Sequence, residues 1–175
     1  MTEAGESREH VASILIEAPI RSVWNEITKT GSIQRALYNT VLETTLEPGA
    51  RLRYYSPDLK RVFVVGEVVE VDPPTKFVHT YIFTMKPGPP TLVTWHLDET
   101  PDGCRVTITH SGWTDAHEDV DKQIAGWREI LGLLKAQVET GSIPLKTRLQ
   151  YALMGLMGFM LPKTTRVGYA DEQGW

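Results

Sequence analysis

Three histidines, His79, His96 and His110, fall on three successive strand-like runs of this chain. Imidazole titrates near neutral pH, so such a ring can act as acid or base in an aldol-type cyclisation or a dehydration. The sequence places no Asp or Glu to orient any of the three, and strand alternation puts His96 on an outer face. Cys104 directly follows a hairpin with Arg105 as its basic neighbour, which describes a passive thiol. His110, His117, Glu118 and Asp119 are close in sequence but straddle a turn, and the acids there suit the start of a helix. Paired cysteines and the His-x-x-x-His and His-Glu-x-x-His spacings are missing, as are glycine-rich phosphate cradles. No catalytic residue, metal site or cofactor is therefore expected.

The elements that must position these side chains read as follows. His10 to Ile16 is a first strand, ended at Ala18-Pro19. Pro19 suits the opening of a short helix over Ile20 to Lys29, whose Val23, Trp24 and Ile27 make an apolar face. A second short helix is expected over Ile33 to Leu37. Six strand-like runs follow, over Val41–Leu46, Ala50–Ser56, Arg61–Val71, Lys76–Phe83, Thr91–Glu99 and Cys104–Ser111, separated by Pro, Gly and Asp turns. Short connections favour antiparallel neighbours. Alternation puts Val93, Trp95 and Leu97 on one face with Val106, Ile108 and His110, while both sides of Lys76–Phe83 are apolar enough for burial.

A long amphipathic helix is expected from Asp115, where Asp115 and Glu118 have capping-box spacing, to a stop at Gly141. Val120, Ile124, Trp127, Leu131, Leu134 and Val138 form its apolar stripe. A further helix over Leu145–Leu161 carries Lys146 and Arg148 early, then Met154, Met157 and Met160 with no charge. A helix apolar nearly all round needs a cover, so it reads as a lid, a packed element or an interface.

Composition fits one domain. The 175 residues are 41% hydrophobic and 23% charged, with a net charge of −4. That charge gives nucleic-acid binding no support. One cysteine permits no internal disulfide and agrees with a reducing cytoplasm. The apolar run Tyr151–Leu161 is too short to span a bilayer.

Specific motifs add to this. Ile16-Glu17-Ala18-Pro19 with Val23-Trp24, the run Gly66 to Pro74, Thr91-Leu92-Val93-Thr94-Trp95, Thr109-His110-Ser111-Gly112-Trp113, and Gly126-Trp127 with Ile130-Leu131 and Leu133-Leu134-Lys135 occur in order. Together they resemble the START-like (SRPBCC) superfamily, and within it the family related to the C-terminal domain of the heat-shock-chaperone ATPase activator. The resemblance covers residues 10–141. It implies an α+β helix-grip fold: a seven-stranded antiparallel sheet curved around a long C-terminal helix, two short helices after strand one, and a cavity between sheet and helix. The extra C-terminal helix lies beyond that core. Relatives range from lipid carriers and metabolite binders to polyketide cyclases and co-chaperones, so the fold alone sets no activity.

The domain organisation expected is a disordered N-terminus over 1–9, the helix-grip domain over 10–141, an apolar lid or interface helix over 142–162, and a loose polar tail over 163–175. The function expected is cytoplasmic binding of a small hydrophobic or aromatic molecule. Its lining would be Trp24, Tyr54, His79, Tyr81, Trp95, His110, Trp113 and Trp127, with His79, Tyr81 and His110 supplying hydrogen bonds. Two alternatives stay open: a cyclase- or dehydrase-like enzyme using a pocket histidine, and a chaperone-activator-like interaction module. A homodimer through Leu145–Leu161 is a further option, and membrane contact ranks last.

Overall fold

The computed structural model describes residues 8–175. Strand β1 spans Arg8–Ile16, so the disorder expected over 1–9 does not extend to Arg8 and Glu9; residues 1–7 lie outside the described residues. Pro19 precedes α1, Ile20–Thr28, which buries Ile20, Val23, Trp24 and Ile27.

The second short helix is not formed. Ile33–Gln34 is instead a two-residue strand, β2. The buried Gln34 amide donates from Nε2 to the carbonyls of Glu26, Ile27 and Lys29 at 3.2, 3.0 and 3.2 Å. It thereby satisfies carbonyls at the C-terminal end of α1 that the helix cannot. The backbone around it is extended and pairs with β3, Thr40–Glu43.

Strands β4 (Arg51–Tyr55), β5 (Val62–Asp72), β6 (Lys76–Phe83), β7 (Thr91–Thr100) and β8 (Gly103–Trp113) complete one sheet. Its order is β1-β8-β7-β6-β5-β4-β3-β2, antiparallel throughout. Among the described residues there are eight strands rather than seven, the extra one being β2. The β7–β8 hairpin needs glycine: Gly103 has φ 136°, and a Cβ there would sit 2.2 Å from the Ile16 carbonyl oxygen.

The long helix α2 spans Val120–Thr140 and is followed by Gly141 in a left-handed conformation. It starts five residues later than the capping-box spacing suggests. Asp119 takes the N-cap place without a side-chain cap; its carboxylate pairs with Lys86 and Lys122, and Glu118 pairs with Lys86. The acids at this end are used to tie α2 to the β6–β7 loop. Helix α3 covers Leu145–Leu156 only, and a 3-10 turn at Gly158–Met160 replaces its expected last turn. Gly155 and Gly158 weaken helix there and Pro162 blocks its continuation.

The inner face of the sheet packs against α1 and α2. Val93, Trp95, Leu97, Val106 and Ile108 meet Trp127, Ile130, Leu131 and Leu134 there, as alternation predicts. The outer face of β3 to β6 is also covered. A second apolar cluster of Val41, Tyr55, Val62 and Val65 packs against Ile82, Val167 and Trp175. This settles the ambiguous strand: β6 has apolar residues on both sides because Phe77 faces the inner cluster while Ile82 faces the outer one.

The cover is the tail, which is folded rather than loose. A 3-10 turn, Lys163–Thr165, leads into α4, Val167–Glu172. Arg53, 2% exposed, lies under it. Its Nη1 pairs with Asp171 at 2.8 Å and donates to the Tyr55 hydroxyl at 3.2 Å; its Nη2 donates to the Trp175 carbonyl oxygen. Arg61 holds the preceding segment through Gly158 O at 2.9 Å, Pro162 O at 3.3 Å and Thr165 Oγ1 at 3.0 Å. A buried guanidinium needs such partners, and here only the tail supplies most of them.

Arg53→Ala is expected to cost about 1–3 kcal/mol in urea unfolding, from lost charge-assisted hydrogen bonds. It should also expose Lys163 and Arg166 to trypsin. Mass spectrometry of a short digest checks this: intact chain at the wild-type rate would show that Arg53 does not hold the tail.

Candidate functional site

Side chains of β4, β6, β7, β8 and α2 meet on the inner face. Trp127 Nε1–H donates to His110 Nδ1 at 2.8 Å. Because Nδ1 accepts, the proton of neutral His110 sits on Nε2, which donates to Thr91 Oγ1 at 2.7 Å. The Thr91 hydroxyl in turn donates to the Tyr81 carbonyl oxygen at 3.0 Å. Each group in this chain has a donor and an acceptor role assigned, and the chain joins α2 to three adjacent strands.

Rings surround it. His110 stacks near Trp113 at 4.1 Å, meets Tyr81 edge-on at 4.9 Å and Trp127 at 5.6 Å. Trp127 in turn meets Trp95 edge-on at 5.9 Å. His110 is fully buried, and its pKa is lowered to about 3. Burial is the main cause, with the neighbouring His79, His117 and His10 adding to it.

His79 lies one step further along. It is buried at 1% exposure, 5.1 Å from Phe77 and 6.3 Å from Tyr54 between ring centres. Its Nδ1–H donates to the Thr80 carbonyl oxygen at 2.8 Å, which leaves Nε2 as an acceptor. Burial lowers its pKa to about 4. Burial likewise raises the Tyr54 phenol, and that of Tyr81 with a contribution from Tyr38 and Tyr54. Neither hydroxyl, nor His79 Nε2, makes a hydrogen bond with the described residues. Gly66 permits the close β5–β6 approach here, since a Cβ on it would lie 2.0 Å from the Thr80 carbonyl oxygen.

Seven of the eight expected lining residues fall into two ring groups on the inner face: Tyr54 with His79, and Tyr81, His110, Trp113, Trp127 and Trp95 together. Phe77 belongs with His79 and was not singled out from sequence. Trp24 is in the same core through α1 but makes no ring contact with the others among the described residues. Thr91 escaped notice as well, because it reads as an ordinary first residue of a strand. Two clefts open away from this group. One of about 410 Å³ lies between Ile33, Val41, Tyr55 and Leu59, and one of about 170 Å³ between Arg35, Asn39, Arg148 and Tyr151.

Chemically the inner group is poor in proton-transfer capacity. Both nitrogens of His110 are engaged, and a pKa near 3 or 4 makes either buried histidine a weak base at neutral pH. Cys104 is buried, and burial with Asp98 and Glu99 nearby raises its thiol pKa. His96 is exposed beside Asp98 at 3.1 Å, outside the grip. His117 is held by Pro89 O at 2.9 Å and by the Thr114 backbone N–H at 2.9 Å. No three His, Cys, Asp or Glu side chains converge among the described residues.

Comparison with known proteins agrees with this architecture. Residues 17–139 match the family described as Activator of Hsp90 ATPase homolog 1-like protein. No curated protein matches the chain. Among solved structures, protein MLL2253 from Mesorhizobium loti is 18% identical, with a TM-score of 0.63 over 75% of this chain and 97% of that one. CalU16 from Micromonospora echinospora is 18% identical, with a TM-score of 0.62 over 88% of each chain. DynU16, from the dynemicin biosynthetic locus, is 24% identical, with a TM-score of 0.64 over 77% of this chain and 48% of that one. At these identities the likeness is one of fold.

Two outcomes are expected from the buried histidines. Trp127→Phe leaves His110 Nδ1 without its donor, and should lower stability by about 1–3 kcal/mol in denaturant unfolding. An unchanged midpoint would show the bond to be idle. The second outcome concerns pH. The folded pKa values of His79 and His110 lie below the ordinary 6.5, so the unfolded chain binds more protons between pH 6.5 and 4. Stability is then complete above pH 6.5 and falls as pH drops toward 4. Thermal melts across that window should show the fall, and His79→Gln should reduce it to the share that His110 contributes.

Proposed function

The chain belongs to the Activator of Hsp90 ATPase homolog 1-like family, and from that premise we propose that it binds a small, largely apolar molecule in the grip, in the cytoplasm and without catalysing a reaction. The observation that carries this reading is the set of polar atoms left over on the inner face. The hydroxyls of Tyr54 and Tyr81 and the Nε2 of His79 sit among Phe77, Trp95 and Trp127 without hydrogen bonds to the described residues. Polar groups in such surroundings ordinarily have a partner, in the protein or from outside it. A ligand with a hydroxyl or carbonyl on a flat apolar frame supplies one.

The inventory fits such a ligand. His79 Nε2 accepts, and the two phenols donate or accept. The aromatic surroundings contribute apolar contact, at about 25 cal/mol per Å² before association costs. Trp24, Trp95, Trp113, His110 and Trp127 serve this reading as the walls and frame that fix the three polar atoms. The cyclase-like alternative is less well supported, because His110 has both nitrogens engaged and His79 lacks an acid to raise its basicity.

Native mass spectrometry of protein purified from its own host tests the proposal. The expected result is a non-covalent adduct of small mass, displaced by Nile red. Tyr54→Phe/Tyr81→Phe should weaken Nile red-competing retention of that adduct roughly tenfold per lost hydrogen bond. A spectrum of bare protein, together with no Nile red fluorescence, ends the reading.

A further inference from the structure

The apolar segment after α2 has no cover. Leu145, Leu149, Leu153 and Leu156 recur at spacings of four, four and three along α3, which sets them on one face. All four are exposed, Leu156 at 77%, and Phe159 in the following turn is 81% exposed with Met160 beside it. Surface of this kind and extent marks an interaction site. The segment is pinned at both ends. Ile143 is buried before it, and Arg61 holds Gly158 and Pro162 after it. Its apolar face is therefore held outward, away from the domain body.

Charge identifies the occupant. Residues 140–170 contain Lys146, Arg148, Lys163 and Arg166 and no acidic side chain, in a chain whose net charge is −4. Arg148 also lines the cleft of about 170 Å³, opposite Arg35 and next to Asn39 and Tyr151. Neither arginine forms an ion pair with the described residues. The Tyr151 hydroxyl is buried there without a partner among those residues. The nearby carboxylate of Glu129 acts on Tyr151 but already accepts from the Tyr38 hydroxyl at 3.2 Å. Two exposed arginines without ion pairs flanking an apolar face match a phosphodiester attached to acyl chains.

We propose that α3 and the turn after it dock on an anionic lipid bilayer, with Arg35 and Arg148 receiving a lipid phosphate. At 1.5 Å per residue the 12 residues of α3 reach about 18 Å, less than the ~30 Å hydrocarbon core, so the helix lies in the interface. No helix among the described residues is long and apolar enough to cross a membrane. The sequence ranked membrane contact last, behind packing, a lid and a dimer; the exposure of α3 and the two unpaired arginines reverse that ranking.

The test is co-sedimentation of the full chain with phosphatidylcholine vesicles, with and without phosphatidylglycerol. Sedimentation is expected with the anionic vesicles and not with the neutral ones. Arg35→Gln and Arg148→Gln should each weaken binding about fivefold. Leu149→Ser/Leu153→Ser should weaken it more than about tenfold while the thermal midpoint stays put, since both positions are exposed. No sedimentation with either vesicle, or equal sedimentation with both, overturns the proposal. So does a stable dimer in analytical ultracentrifugation that Leu149→Ser/Leu153→Ser disperses without any vesicle binding.

Discussion

The hydrogen bond from Trp127 Nε1 to His110 Nδ1 is the contact on which the inner face depends. It is the point where the long helix is fixed to the sheet by direction rather than by burial alone. Hydrophobic contact between α2 and the strands is roughly proportional to area and tolerates sliding. An indole N–H aimed at one imidazole nitrogen does not. Once Nδ1 accepts from Trp127, the tautomer of His110 is set, and Nε2–H donates its hydrogen bond to Thr91 Oγ1. That in turn directs the Thr91 hydroxyl to the carbonyl oxygen of Tyr81. One helix-to-strand bond thus orders a chain of three hydrogen bonds across β8, β7 and β6.

The same chain decides the character of the site. A histidine with both nitrogens engaged in an apolar core is a strut, and its lowered pKa is the electrostatic expression of that burial. His79 differs by one hydrogen bond. Its Nδ1 is satisfied by the backbone next to it, and its Nε2 is left over. Two histidines on the strands either side of β7 thus take different roles because one has Trp127 opposite and the other does not. The inner face offers recognition atoms rather than a proton relay.

The sheet is covered on both sides by unlike means. Apolar packing of α1 and α2 covers the inner side. On the outer side a short tail is held largely by two arginines, Arg53 and Arg61, through carbonyls, a hydroxyl and Asp171. Between these two covers the chain passes through α3, anchored at both ends and bare along its length. Its apolar face projects because the tail, not α3, occupies the outer surface of the sheet.

Much of the fold was legible from the sequence, since strands, turns and helix stops are local. Pro101-Asp102-Gly103 is a hairpin whatever surrounds it, and the order of motifs from Ile16 to Lys135 carried the family resemblance. The faces of β7 and β8 followed from alternation. The errors came where a distant partner overruled local preference: Gln34 drawn into the end of α1, Asp119 tied to Lys86, and a polar tail docked by Arg53. At the site, residue types pointed to the aromatic group and both histidines. They gave no hint that His110 was fully engaged, that Thr91 took part, or that Phe77 lay against His79. Sequence by itself determined which residues are apolar, aromatic or charged and which local elements they form. Tertiary structure decided which polar atoms find partners, because Trp127 reaches His110 across 17 residues and Arg53 reaches Trp175 across 122. Directional bonds over such separations depend on the final placement of whole elements, and no local pattern encodes it.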